Sequence, residues 1–417
     1  LSTGALLQYR HRDNFYNYYL FTPEVTSGNG QPFTGIYDAV WFNNNGPQNP
    51  VGAVSTPGSY AARESIAAGY LQAGFHTGKV KINAGIRQEL TMQHVNSAAD
   101  PGTPFSENIG ISYHDFLPSF NIIYSFNEKQ DLRLSYFSAV SRPSLYDITF
   151  FNMDYDDYSV SGNPFLKRST ANNFDVRYDL YQPGIIDELQ LTGFFKKIYD
   201  PFEKTLIGAN DTLYPIPGNG LPYTPASKLT EQLRNYNTAT NYGFEFSMVK
   251  NFSHLGITAN YTFTDSRIEQ LKKYKQRVDP QNQATDIITV SRLQQRPLQG
   301  QSKHVANMSF SYQLPRFGWT AQLVGIYTSR RIADVSGWYQ LDDWQKENVI
   351  VDLSLEKTIR RHWKIFAKVT NLLNAGTKIY VNGNINGIPE QRENGKIMIE
   401  DGNSRGTMLM GAQFKMK

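Results

Sequence analysis

The sequence predicts an all-β chain, a transmembrane antiparallel up-and-down β-barrel with about fourteen strands. Three observations carry that expectation. Apolar and charged residues alternate along unusually long strands, and tight and long connections take turns from one end of the chain to the other. The third is hydropathy. No run approaches the roughly eighteen consecutive apolar residues of a membrane helix, and the mean hydropathy is −0.47. A barrel wall tolerates such a value because only alternate residues over a band about 25 Å tall face lipid.

Leu6 to Tyr19 opens the series as a loosely alternating strand, and a polar, Gly- and Pro-rich connection follows from Pro23 to about Arg63. Ile66 to Phe75 and Val80 to Leu90 form a hairpin closed by His76 to Lys79, with Lys81, Asn83, Arg87 and Glu89 on its polar face. After a long connection around Asn96 to Gly110, Phe120 to Phe126 and Leu132 to Ser138 are joined by Asn127 to Asp131. The connection from Arg142 to Arg168 then leads into the clearest pair. Phe174, Val176, Tyr178 and Leu180 alternate with Asn173, Asp175, Arg177 and Asp179, the period of a strand. A turn around Gln182 to Glu188, with Pro183 and Gly184, returns the chain along Leu189, Leu191, Gly193 and Phe195.

Three further hairpins follow: Tyr242 to Met248 with Ile257 to Phe263, Val305 to Tyr312 with Trp319 to Tyr327, and Val349 to Leu355 with Ile365 to Val369. Their turns lie at Asn251 to Gly256, Pro315 to Gly318 and Arg360 to Trp363, and a last strand runs from Thr407 to Met416. In a soluble sandwich the apolar faces would meet a second sheet, but Asp, Arg and Lys deep inside long strands suit a wall between lipid and water. A β-propeller would need short strands and a recurring blade signature, and neither is visible. Short turns of such barrels are periplasmic and long loops extracellular, so both chain ends are expected on the periplasmic side.

A length of 417 residues fits one all-β barrel as well as two or three soluble domains. The 26 Tyr and 25 Phe suit strands and membrane interfaces. With no cysteine, disulfides and thiolate metal sites are excluded. A net charge of +4 without a long basic block gives no case for a nucleic-acid partner.

Six segments carry a specific likeness: YLQAGFHTGKVKINAGIRQELT (Tyr70 to Thr91), SRPSLYDI (Ser141 to Ile148), SGNPFLKRSTANNFDVRYDLY (Ser161 to Tyr181), FFKKIYDPFEKTLI (Phe194 to Ile207), NYGFEFSMVKNF (Asn241 to Phe252) and VTNLLNAGTKIYV (Val369 to Val381). In this order and spacing the chain resembles the C-terminal barrel portion of TonB-dependent outer-membrane receptors, particularly the type common in Bacteroidota. The resemblance implies a 22-stranded barrel plugged by an N-terminal domain. It also implies import of a scarce nutrient such as a siderophore, cobalamin or a glycan, driven by the TonB complex through a box ahead of the plug. Outer-membrane lipid is then a partner, and a surface lipoprotein lid or other outer-membrane subunits are further ones. Nothing in the chain resembles the plug or the box, and about fourteen strands fall well short of 22, so the sequence reads as about the last two thirds of a barrel. Family members usually end on an aromatic residue; here Phe414 is followed by Lys415, Met416 and Lys417.

Chemistry-bearing motifs are few. The seven histidines, His11, His76, His94, His114, His254, His304 and His362, lack metal-ligand spacing. Asp154, Asp156 and Asp157 lack the glycine and distal glutamate of a calcium loop. No nucleophile elbow or phosphate-cradling loop occurs, so the chain is read as no enzyme, with no cofactor and no metal. SGNP, Ser161 to Pro164, reads as a turn returning a loop to its strand, and NLLN, Asn371 to Asn374, as the closure of a strand end. The ligand-binding candidates are loop aromatics with an acidic neighbour: Trp41, Phe42, Tyr155, Asp156, Tyr158, Trp338, Tyr339 and Trp344. Such rings stack on sugars or chelates, although interfacial girdles use the same residues. The alternative to a transporter is a non-transporting scaffold in an outer-membrane assembly or secretion complex. A weaker one is a soluble carbohydrate-active β-protein. From alternation alone, a cation at Val176 is expected to harm assembly far more than one at Asp179.

Overall fold

Period-two alternation becomes a wall. The computed structural model describes residues 1–15, 18–20, 53–55, 59–97, 109–155, 158–209, 226, 228–282, 284–359, 362–382 and 396–414. Among them every regular element is a strand. Fourteen strands form one antiparallel meander: β1 (Ser2–Asn14), β2 (Tyr60–Thr77), β3 (Val80–Ser97), β4 (Ile109–Asn127), β5 (Gln130–Ser141), β6 (Ser169–Gln182), β7 (Ile186–Tyr199), β8 (Ala239–Asn251), β9 (Leu255–Arg277), β10 (His304–Leu314), β11 (Trp319–Thr328), β12 (Asn348–Ile359), β13 (Trp363–Thr370) and β14 (Thr407–Phe414). Each pairs with its neighbour in chain order, and every expected strand has one counterpart. Among the described residues β1 pairs in this sheet only with β2, and β14 only with β13.

The two faces differ as the alternation predicts. Phe174 and Val176 of β6 are 49% and 50% exposed on the outer face. Phe174 lies across from Tyr136 of β5 and Phe195 of β7, with ring centroids 4.8 and 6.4 Å away. On the inner face Asp179 is fully buried. Its carboxylate accepts from Arg133 Nε and Arg177 Nε, each at 2.7 Å. Asp131 lies opposite Asp179, and Arg133 also reaches it at 3.4 Å, so two guanidinium groups offset two facing carboxylates. This overturns the expected tolerance at Asp179, because a cation there would face Arg133 and Arg177 with only Asp131 left to offset them.

The strands are longer than the sequence suggested, and the excess lies at the long-loop end. β2 and β3 run to Tyr60 and Ser97, and β4 starts at Ile109 although Pro118 interrupts its pattern. Pro118 is tolerated because β4 pairs with β5 only from Ser119 on, leaving that edge free of ladder bonds at the proline. β1 ends at Asn14 rather than Tyr19, where its register with Tyr60 runs out. β9, with 23 residues, leaves the wall and pairs through 268–277 with Ile287–Arg296, forming an arm.

Connections expected as loops hold a second sheet, here called the crown. Its order is Lys396–Gly402, Thr377–Asn382, Asp343–Gln345, Arg331–Ser336, Phe202–Ile207, Thr230–Asn235, Ser159–Ser161 and Asn152–Asp154. Two of its pairings are parallel, Phe202–Ile207 with Arg331–Ser336 and Thr230–Asn235 with Ser159–Ser161. The apolar core lies where crown and wall meet: Tyr60, Ala62 and Val95 pack with Ile148 and Leu166, flanked by Tyr146, Phe202 and Leu233. Arg142 and Arg168, at the two ends of the inserted segment, both pair with the buried Asp115 of β4, and Arg142 also with Glu89.

SGNP is the expected turn, and it is buried. The Asn163 N–H donates to Asp147 O at 2.7 Å and its Nδ2 to Leu233 O at 2.9 Å. A Cβ on Gly162 would stand 1.9 Å from Thr149 O, so only glycine fits. NLLN closes the end of β13 as expected. Asn371 and Asn374 both have φ of 51°, and Asn371 Nδ2 donates to Ala375 O and Ser404 O at 3.0 Å.

Candidate functional site

The arm and the crown meet through charged groups that alternation cannot announce. Even-numbered residues of 268–277 face the crown, and odd-numbered ones continue the outer face of β9. Ile268, Gln270 and Lys272 are buried there, whereas Leu271 is exposed. Lys272 pairs with Asp342, whose other oxygen accepts from Gln294 Nε2 at 3.0 Å. Arg296 on the partner strand donates to Glu203 at 2.6 Å and to Gln270 Oε1 at 2.9 and 3.0 Å. Glu203 in turn accepts from the Gln299 N–H at 2.7 Å. Asp342, Glu203 and Arg296 therefore each have an opposite partner and a neutral hydrogen-bond partner, and Lys272 has Asp342, the condition under which burial is tolerated.

Asp343 is the exception. Its register partner is Asp334, and Asp342 precedes it in the chain. Burial, helped by these two carboxylates, pushes its carboxyl up to about 7. Val381 stands opposite on the other side, while Lys204, Glu231 and Glu400 influence Asp334. Burial lowers the Lys272 ammonium to about 8 against the opposing pull of Asp342.

This scaffold presents the turn Gly337–Leu341. The Lys273 N–H donates to Gly337 O at 2.9 Å, and the Tyr339 N–H donates to Lys273 O at 2.8 Å, clamping the turn to the arm. Gln340 adopts φ of 60°, and its N–H donates to Gln294 Oε1 at 2.8 Å. Lys275 Nζ lies 5.6 Å from the Trp338 ring centroid. Arg292 sits between two phenols, 4.7 Å from the Tyr339 ring and 5.6 Å from that of Tyr274. Tyr274 and Tyr339 meet edge to face at 5.8 Å. Lys275 and Trp338 lie on the odd-numbered side of the arm, and Tyr274, Tyr339 and Arg292 on the even-numbered side, so cations and rings flank a strained, clamped turn on both faces, here called the shelf. A cleft of about 540 Å³ adjoins it, lined among others by Lys167, Arg234, Tyr236, Glu269, Leu271 and Lys273.

The sequence candidates separate into groups. Trp338 and Tyr339 belong to the shelf. Tyr155 and Tyr158 lie at the far edge of the crown sheet, stacked with centroids 5.1 Å apart, 16° between planes and both rings exposed. Trp344 points elsewhere, under Arg330 at 5.1 Å. Trp41, Phe42 and Asp156 lie outside the described residues, as does Asp157. Sequence reasoning missed Tyr274, Lys275 and Arg292. The only trace was the short run Lys272–Lys273–Tyr274–Lys275, too brief to register as a basic block.

Comparison with known proteins gives a consistent picture. The sequence matches the family described as TonB dependent receptor-like, beta-barrel, over residues 1–372. No curated protein matches it. Among solved structures it is similar to the FrpB iron transporter from Neisseria meningitidis, at 12% identity and TM-score 0.52, covering 85% of this chain and 46% of that one. It is also similar to a mutant ferric enterobactin receptor from Pseudomonas aeruginosa in complex with enterobactin, at 15% identity and TM-score 0.53. That match covers 98% of this chain and 60% of the receptor. Identities this low establish likeness of fold, and the chain spans about half of each relative.

Proposed function

The chain belongs to the TonB-dependent receptor-like β-barrel family, and from that premise we propose that it is the barrel part of an outer-membrane receptor importing a scarce nutrient. The ligand class best suited to the shelf is an anionic, ring-bearing metal chelate of the siderophore type. One observation carries this reading: Arg292, Tyr274 and Tyr339 cluster on one face of a turn held by Lys273 and Gln294, with Lys275 over Trp338 on its other face. Cations offset the negative charge of a chelate while rings stack on its aromatic arms. A neutral glycan would gain little from the cations, and cobalamin offers them only a single phosphodiester charge. Tyr155 and Tyr158 form a second, more exposed contact.

Transport in this family couples to TonB, and the reading places a plug and a TonB box in an N-terminal region outside this chain. Two features support further strands: the single wall partner of β1 and of β14, and the share of each structural relative that the chain covers. The long-loop end then faces outward, and a lipoprotein lid would dock over the crown. Titrating the detergent-solubilised protein with ferric tricatecholate while following tryptophan fluorescence tests the ligand class. Saturable quenching weakened about tenfold by Arg292→Gln with Tyr339→Ala is expected. Equal quenching in that variant, or none in either protein, would overturn the assignment.

A further inference from the structure

A second cavity, of about 510 Å³, opens where β9 parts from β10. The last rung between them joins Phe263 to His304, and above it the Thr264 N–H donates to Lys303 O at 2.9 Å. Beyond that point the two strands diverge and leave a notch in the rim of the wall. Its lining includes Asp265, Lys303, His304, Tyr327, Arg330, Trp344 and Glu347.

The notch lies on the outer side of the wall. Asp265 is across from Tyr242, His304 from Phe263, and Tyr327 from Ala306 and Val349. These share the face on which Phe244, Met308 and Leu323 are exposed. Below the notch the face is apolar and suited to lipid chains; at the notch it turns cationic and aromatic. His304 Nδ1 and the Tyr261 hydroxyl are 2.8 Å apart, which fixes the ring at that boundary. Lys303 Nζ stands 5.5 Å from the Phe263 ring and Arg330 5.1 Å from the Trp344 ring.

The charge balance favours an anion. Asp265 is already engaged by the Tyr242 hydroxyl at 2.7 Å and by Arg267 at 2.9 Å, so Lys303, 3.6 Å away and exposed, is only loosely held. Arg330 has no ion pair among the described residues. Two cations thus face a cavity of headgroup size at the level where chain-facing residues end. The opposing charges are Glu347 and Asp265, the latter paired with Arg267.

We propose that this notch holds the phosphate-bearing headgroup of a lipid in the leaflet on the long-loop side, with Lys303 and Arg330 contacting the phosphate and Tyr327 and Trp344 lining the glycerol or sugar portion. The assignment is independent of what the receptor imports.

Native mass spectrometry of the full chain in detergent, with dioleoylphosphatidic acid or dioleoylglycerol added, tests it. One phosphatidic acid per chain should be retained and dioleoylglycerol should not. Lys303→Gln with Arg330→Gln should reduce retention tenfold or more, from roughly a few-fold per cation. Lys303→Arg with Arg330→Lys should keep it, and Arg316→Gln, at a tight turn, should change nothing. Equal retention of dioleoylglycerol, or undiminished binding in the glutamine pair, would refute the site. Displacement by excess inorganic phosphate would assign it to free phosphate and overturn the lipid. Should the glutamine pair misfold, Glu347→Gln decides: stronger retention supports the site, and unchanged retention overturns it.

Discussion

The wall and the crown solve the problem of buried charge in different ways. In the wall, Asp179 is held by Arg133 and Arg177, each within two strand positions of a register neighbour, so sheet pairing itself delivers the partners. In the crown, Lys272 meets Asp342, and Arg296 meets Glu203, across connections far apart in the chain. One network is local and repeats with the strand period. The other exists only once several long segments have docked, and it leaves Asp343 facing Asp334 with no ion-pair partner among the described residues. The difference separates a region built for assembly from one that can present a binding surface.

The comparison breaks first at Asp179. Asp179→Arg leaves three cations together in the wall and should cost more than the roughly 3 to 5 kcal/mol of losing one buried partner, read as loss of the heat-modifiable folded band on gels. A variant that assembles normally would show the inner ladder to be dispensable. In the crown, Lys272→Met should cost about 3 to 5 kcal/mol through the stranded Asp342, and Lys272→Met with Asp342→Leu should recover most of it. Urea melts following crown tryptophans would measure this, and no recovery in the double variant would refute a simple pair. Val176→Arg puts a cation on the lipid face and should cost about 2 to 4 kcal/mol, lowering the yield of inserted protein while Val176→Leu does not.

The smallest effect is a pH slope confined to the crown. Folded, Asp343 keeps its proton up to about pH 7, against the usual 3.8. The folded state therefore binds more protons between those values, and crown stability should fall as the pH rises from about 4 to 7, then level off. Hydrogen exchange of the amides in Thr377–Asn382 should quicken, beyond the intrinsic pH effect, across that window. Asp343→Asn should flatten the slope and leave the wall amides unaffected; an unchanged slope would place its origin elsewhere.

The sequence alone determined the wall. Each of the fourteen strands was legible because lipid on one side and water on the other impose a period of two, and Phe174 and Val176 face outward as that period requires. SGNP and NLLN were legible as turns because glycine and asparagine adopt backbone that other residues avoid. The crown was not. Its strands run three to seven residues, too few to set a period, and its parallel pairs join segments such as Thr205–Leu206 and Val335–Ser336. Trp338 and Tyr339 could be singled out from composition, but the cations beside them could not. Arg292 and Lys275 reach those rings only because β9 outruns the wall and folds back as an arm, a placement fixed by long-range packing and buried ion pairs. Local pattern writes a surface that repeats; a site assembled from distant segments is decided by tertiary contact.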